Sequence, residues 1–227
     1  MTREPQHLHL APFQAAIFDM DGTILDTESV FKTIVFEVCT ELGFEMTDAV
    51  HKNMVGASHE HTSQMLMEAY GVAFPYTIFD DRCRVIMRDR MHSEIPVKPG
   101  ARELIADLRE RNIPTAIATS SRRAHAWTHL GNAGLLDLFD TIVTRDDVVH
   151  PKPAPEPYLL AASRLGIEPQ HCLALEDSHT GVRAAHAAGM QTVMVPDLVH
   201  PSEEIRELGI AIHESLHHVR KAAFPAT

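Results

Sequence analysis

Asp19 and Asp21 stand two residues apart in Phe18-Asp19-Met20-Asp21-Gly22-Thr23. Further along come a hydroxyl cluster, Thr119-Ser120-Ser121, a lysine between prolines, Pro151-Lys152-Pro153, and a second acidic pair, Glu176-Asp177. Gathered in one place, these side chains suit attack by a carboxylate on a phosphoryl group. Such a group is an electrophile wrapped in negative oxygens, so an aspartate reaches it only when that charge is neutralised. Asp19 and Asp177 can hold a hard divalent cation such as Mg²⁺, which takes oxygen ligands, while a free oxygen of Asp19 attacks. Lys152 supplies a point charge against the repulsion between Asp19 and the phosphate. Thr119 can donate its hydroxyl to a phosphate oxygen, and backbone N–H groups opening the next helix can do the same. Ser120 and Ser121 belong to the same expected substrate-binding loop. Asp21 can protonate the leaving oxygen and then deprotonate the water that cleaves the acyl phosphate. Gly22 lets the chain turn sharply beside the phosphate. Asp26 and Glu28 follow, and each can either touch substrate or cap a helix.

Each residue also has a plainer reading: solvated charges at a strand end, a helix-capping threonine, a surface lysine. The order of the groups along the chain decides against it, because each follows an apolar run. Five such runs are Ala15-Ala16-Ile17-Phe18, Thr115-Ala116-Ile117-Ala118, Thr141-Ile142-Val143, Cys172-Leu173-Ala174-Leu175 and Thr192-Val193-Met194-Val195. They are apolar on both alternating faces, as strands of a parallel sheet covered by helices are. Amphipathic stretches of helical length lie between most of them: Ala101 to Arg111, Pro155 to Leu165 and Gly181 to Ala188. Alternating strand and helix predicts an α/β fold with a doubly wound parallel sheet. Ligands bind such sheets at the C-terminal ends of the strands, where the polar groups stand.

The alternation breaks once. About 95 residues separate the first run from the second, too many for one crossover. Residues 28–94 read as a helical module inserted after the first strand, leaving a core of 14–27 and 95–222 and a flexible tail of 1–13. Val30, Ile34, Val35 and Val38 recur on one helical face, as do Met65, Leu66 and Ala69. Met54, Met65, Met67, Met87 and Met91 are expected to pack the module's helices together. His59 and His61 lie on one of them, on its surface or facing the pocket. Hinges are expected near Asp26-Thr27 and Ile95-Pro96-Val97.

The Asp19-Met20-Asp21-Gly22-Thr23 motif, with Thr119, Lys152 and Glu176-Asp177 in that order, resembles the four motifs of the haloacid dehalogenase superfamily, from about residue 14 to about 210. The inserted helices look like the cap of its β-phosphoglucomutase-like and sugar-phosphate phosphatase subgroup. Lys152-Pro153-Ala154-Pro155-Glu156 and Glu176-Asp177-Ser178-His179-Thr180-Gly181-Val182 are similar to that subgroup's wording. The resemblance implies a Rossmann-like core, Asp19 as nucleophile and Asp21 as acid and base. It implies Mg²⁺ held by Asp19, Asp177 and the Asp21 backbone carbonyl, with Glu176 as an additional ligand. The expected function is Mg²⁺-dependent hydrolysis of a small phosphorylated metabolite, a sugar phosphate by preference, through an aspartyl phosphate. A sugar-phosphate mutase is the alternative. Mutases of the subgroup carry a cap arginine after a Gly-x-Ser segment, where this chain reads Gly56-Ala57-Ser58-His59, which weakens that reading. A phospho-accepting receiver domain uses similar groups but is about half this length and has no inserted cap.

The bulk composition agrees with that class. The chain has 227 residues, 31 acidic and 20 basic side chains, and a formal net charge of -11. It carries neither the basic footprint of a nucleic-acid binder nor a polybasic membrane patch. No apolar run approaches the roughly 18 residues that span a bilayer. Three cysteines without CxxC spacing predict no disulfide framework and fit a cytoplasmic location. The expected partner is a small phosphorylated metabolite, and the expected assembly a monomer or homodimer.

Overall fold

The computed structural model describes residues 10–54, 59–93 and 95–225, with no statement on the side chains of 92 and 93. Six parallel strands form one sheet in the order β3-β2-β1-β4-β5-β6. They are β1 (Ala15–Phe18), β2 (Thr115–Ala118), β3 (Thr141–Val143), β4 (Cys172–Glu176), β5 (Gln191–Met194) and β6 (Ala211–Ile212). The chain starts in the middle, winds outward through β2 and β3, then returns to lay β4 against the other edge of β1. That reversal defines the doubly wound α/β fold and opens a crevice at the strand ends. The five apolar runs are β1 to β5. The sequence reading missed β6, a two-residue, half-exposed edge strand too short to carry a periodic signal.

Alternation along the strands sends residues to two unlike faces. Ala16, Phe18, Ile117, Leu173 and Leu175 face one core with Leu104, Ile105 and Leu108 of α5 (Ala101–Glu110). The helix α6 (Arg123–Asn132) and the helix α10 (Leu216–Ala223) cover the same face. Ala15, Ile17, Ala116, Ala118 and Ala174 face the other core, against α7 (Glu156–Leu165) and α8 (His179–Ala187). The small alanines there let these helices approach closely. Fully burying a Leu, Ile or Phe contributes about 1.5–3 kcal/mol, and Phe18, Ile17, Leu104 and Ile117 are all fully buried. The short α9 (Glu203–Glu207) packs Ile205 against Val182 and Met194.

Between β1 and α5 come α1 (Thr27–Glu41), α2 (Asp48–Met54), α3 (His59–Tyr70) and α4 (Tyr76–Ser93). They enclose an apolar cluster of their own, with Ile34, Val35, Val38, Leu66, Phe74, Phe79 and Cys83 at its centre. Of the expected α3 stripe, Leu66 is buried, Met65 is half-buried and Ala69 is exposed. Two methionines also depart from expectation: Met67 is exposed, and Met91 packs into the sheet's core instead of the module's. The two connections to the sheet lie side by side. Asp26 N donates to Pro96 O at 2.8 Å and Lys98 N to Ile24 O at 2.9 Å. Lys98 Nζ then bridges Asp26 (3.3 Å) and Asp197 (2.7 Å), the latter in the loop after β5.

Cys39, Cys83 and Cys172 are free and buried, as their spacing predicts. Among the described residues, no helix is long and apolar enough to cross a membrane. The expected tail lies outside the described residues as far as residue 9.

Candidate active site

Four loops at the C-terminal ends of the sheet bring the polar groups together. Asp19 leaves β1 into the interior, 7% exposed, with its N–H donating to Leu175 O of the neighbouring β4 at 2.9 Å. Lys152, in the loop between β3 and α7, places its ammonium 2.5 Å from Asp19 Oδ1 and 2.6 Å from Glu176 Oε1. Its side chain is 3% exposed, so the charge survives burial only through these partners. Burial works against that charge, but Asp19 and Glu176 outweigh it and hold the lysine protonated.

Glu176 ends β4 with no exposure at all. Oε1 accepts from Lys152 and from the Tyr158 hydroxyl at 2.8 Å. Oε2 accepts from Asp177 N, Ser178 N and Ser178 Oγ at 3.1, 3.2 and 3.0 Å. A carboxylate offers roughly four lone-pair sites, so these donors saturate it. The fit leaves no room above the group, since a Cβ on Gly181 would lie 1.6 Å from Glu176 Oε1. Glycine is required there by close approach alone.

Asp177 faces the crevice, with Oδ1 accepting from Thr23 Oγ1 at 3.2 Å. Gly22 adopts φ +83, and a Cβ there would sit 2.3 Å from Asp177 Oδ2. The sharp turn expected at Gly22 is present, and it also makes way for this carboxylate. Ligand oxygens of Asp19, Glu176 and Asp177 lie within 4.8 Å of one another. Burial, followed by the charge of Glu176, pushes the Asp177 carboxyl up to about 7. Burial likewise raises Asp19, against the opposing pull of Lys152. Three crowded carboxylates and one ammonium form an all-oxygen donor set short of positive charge, which is what a hard divalent cation completes. Asp19 and Asp177 have oxygens to give it, whereas Glu176 is already engaged by five donors.

The groups expected to handle protons and phosphate line the other side. Ser121 Oγ donates to Asp21 Oδ2 at 2.7 Å, tying the loop after β2 to the loop after β1. Thr119 Oγ1 accepts from Ser121 N at 3.0 Å, leaving its own proton to donate. Ser120 is exposed beside them. Of the amides that open the following helix, that of Arg123, the first residue of α6, goes to Asp146 at 2.9 Å. Glu28 stands half-buried in the first turn of α1. Burial and the charges of Asp197 and Asp21 raise its carboxyl's pKa, which puts it between the hinge and the acidic pair.

The sequence reading missed Tyr158, Lys98 and Asp197 as neighbours of this site, and it gave Thr23 and Ser178 no role within their motifs. Tyr158 reads as an ordinary core position on an amphipathic helix, and only the fold brings its hydroxyl under Glu176. Asp197 was open to discovery, since it follows the fifth apolar run as the other polar groups follow theirs.

Comparison with known proteins agrees with this geometry. Residues 16–195 match the haloacid dehalogenase-like hydrolase family, and the chain belongs to it. A phosphorylated carbohydrates phosphatase of Thermotoga maritima is 33% identical over 79% of this chain and 83% of its own length. A fructose-1-phosphate phosphatase of Escherichia coli is 32% identical over 81% and 96%. The crystal structure of a family hydrolase from Deinococcus radiodurans, with bound phosphate and sodium, superposes with a TM-score of 0.82 at 28% identity, covering 95% of this chain and all of that one.

Proposed function

We propose that this protein is a Mg²⁺-dependent phosphatase that hydrolyses a small phosphorylated metabolite, a sugar phosphate in the first instance, through an acyl phosphate on Asp19. The observation that carries the reading is Asp19 itself: a carboxylate buried beside Lys152 and Asp177 at the mouth of a parallel sheet. The similarity to relatives named as phosphatases of carbohydrates and of fructose 1-phosphate supports the substrate class.

When bound between Asp19 and Asp177, Mg²⁺ would supply the positive charge that the oxygens of a phosphoryl group require. The chain's own residues do the rest. Lys152 fixes Asp19 in place and, by direct pairing, favours its ionised form against the effect of burial. Glu176 holds Lys152 in turn, and the Tyr158 hydroxyl holds Glu176. Thr119 offers its hydroxyl proton to a phosphate oxygen. An Asp19 oxygen attacks phosphorus as the bond from phosphorus to the ester oxygen breaks, and Asp21 delivers a proton to that departing oxygen. Asp21, now a carboxylate, takes a proton from water as the water displaces Asp19 from phosphorus. Ser121 orients Asp21 for both transfers through its hydrogen bond to Oδ2. Helices α1 to α4 act as a cap whose closure over the crevice excludes bulk water.

The family match argues against the receiver-domain reading. The mutase alternative has less support, since the relatives described above are named as phosphatases and His59 follows Gly56-Ala57-Ser58 where mutases of the subgroup carry an arginine. A panel of phosphate monoesters, assayed for phosphate release with MgCl₂ and again with excess EDTA, tests the proposal. Release that depends on added Mg²⁺ is expected. Equal release in EDTA would contradict it.

A further inference from the structure

A cavity of about 280 Å³ opens inside the helical module, between α1, α2, α3 and α4. Glu28 forms part of its wall and also stands close enough to Asp21 and Asp197 to feel both charges, so the cavity begins where the catalytic crevice ends. Phe31, Tyr76 and Phe79 supply apolar and aromatic wall. His51, His59, Thr62 and Asp80 supply polar groups.

Two of these groups show what the cavity wants. His51 is 5% exposed, its ring 5.9 Å from that of Phe36. Among the described residues its ring nitrogens have no hydrogen-bond partner. Burial, with Lys32 nearby, lowers its pKa and keeps the imidazole neutral, with one donor and one acceptor to give. His51 lines the cavity wall with these groups unengaged, so a ligand hydroxyl that both gives and takes a hydrogen bond is a fitting occupant. Glu28 is an acceptor for a second hydroxyl.

The charges point the same way. Neither arginine nor lysine lines the cavity among the described residues, and Val55 to Ser58 contain none in sequence. The nearby cations are spoken for: Arg84 pairs with Asp80 at 2.7 Å, and Lys32 with Asp48 at 2.6 Å. His59 also lies on Asp80, at 3.0 Å. At the hinge, one cation, Lys98, faces Asp26, Glu28 and Asp197. An anionic group arriving here would meet carboxylates and find no partner.

Resting on the phosphatase reading, we propose that this cavity receives the neutral, hydroxyl-bearing part of a monophosphate ester and excludes substrates with a second phosphate or a carboxylate. Discrimination would arise from repulsion at Glu28 and the missing counter-charge as much as from hydrogen bonds to His51. The bisphosphate intermediate of a mutase falls among the excluded ligands.

The test is kcat/KM on matched pairs: fructose 1-phosphate against fructose 1,6-bisphosphate, and glycerol 1-phosphate against 3-phosphoglycerate. The wild-type protein is expected to favour the singly functionalised member of each pair at least about tenfold. In Glu28→Gln that preference should shrink several-fold, because the carboxylate charge is gone and the side chain's shape is kept. Comparable kcat/KM within each pair, or preference for the doubly anionic member, overturns the inference and leaves the phosphatase reading standing. Absence of release from every ester overturns both. The wild-type comparison decides the matter even if the variant folds poorly.

Discussion

At the scale of single residues, the site divides its carboxylates by what surrounds them. Glu176 is sealed under five donors and serves to hold Lys152, while Asp19 and Asp177 keep oxygens toward the crevice. Asp21 is the carboxylate with a hydroxyl partner beside the crevice, the position proposed to give a proton and take it back. Asp21→Asn keeps a side-chain oxygen for Ser121 and leaves the backbone carbonyl unchanged. Its fold should therefore survive, and phosphate release should fall about 10²–10⁴-fold. Steady-state release across mildly acid to mildly basic pH checks this, and activity within twofold of wild type would assign the proton to another group. Most of these residues were legible in the sequence, because each follows a strand and each has the right chemistry. Of the donors that saturate Glu176, Lys152 alone was assigned a role. The others are backbone amides, a capping serine and a core tyrosine, residue types whose ordinary uses hide a special one.

At the scale of elements, the loops that carry the site are tied to one another by charges remote from the chemistry. Asp147, just after β3, accepts from the Thr144 hydroxyl and amide and pairs with Arg123 of α6 and Arg164 of α7, both at 2.8 Å. This carboxylate joins β3 to two helices, one of which follows the Thr119–Ser121 loop. Burial works to raise its pKa, but the Thr144 hydroxyl and Arg164 outweigh burial and bring it down to about 2. A depressed carboxylate stabilises the fold above its unfolded pKa, and that stability is lost as pH falls through the folded value. From the usual value near 3.9 to about 2, the contribution is about 2 kcal/mol. Asp147→Asn should thus cost about 2 kcal/mol near neutral pH, with the gap closing below about pH 4. Urea unfolding at a series of pH values measures it, and a gap that does not change with pH would show that the ionic partners contribute nothing. Five of the six strands and the main helices were readable from hydrophobic period. The Asp147 junction was not, since a charged residue in a loop gives no sign in sequence of the helices it will meet.

At the scale of the whole molecule, the apolar cores of the sheet's two faces stand on one side of a paired hinge and the module's core on the other. The sheet's cores fix the strand ends that carry the site, and the module's core surrounds the cavity proposed to take the substrate's other end. That division explains why the chemistry could be read from the sequence and the cavity could not. Motif residues act through their types and spacing, whereas the cavity exists only in the packing of four helices whose stripes were read as ordinary core. His51 illustrates the difference, since a histidine on a short helix becomes notable only when it proves to be buried at the wall of a cavity.

The central claim is that phosphate passes through Asp19. Rapid mixing with Mg²⁺ and a phosphorylated sugar, followed by acid quench and peptide mass spectrometry, tests it most directly. Phosphate should be found on the peptide containing Asp19, should accumulate in Asp21→Asn if its water-activating step is slowed, and should be absent from Asp19→Asn, which should also release none. Phosphate release from Asp19→Asn at the wild-type rate, or phosphate bound to a different residue, would contradict the account.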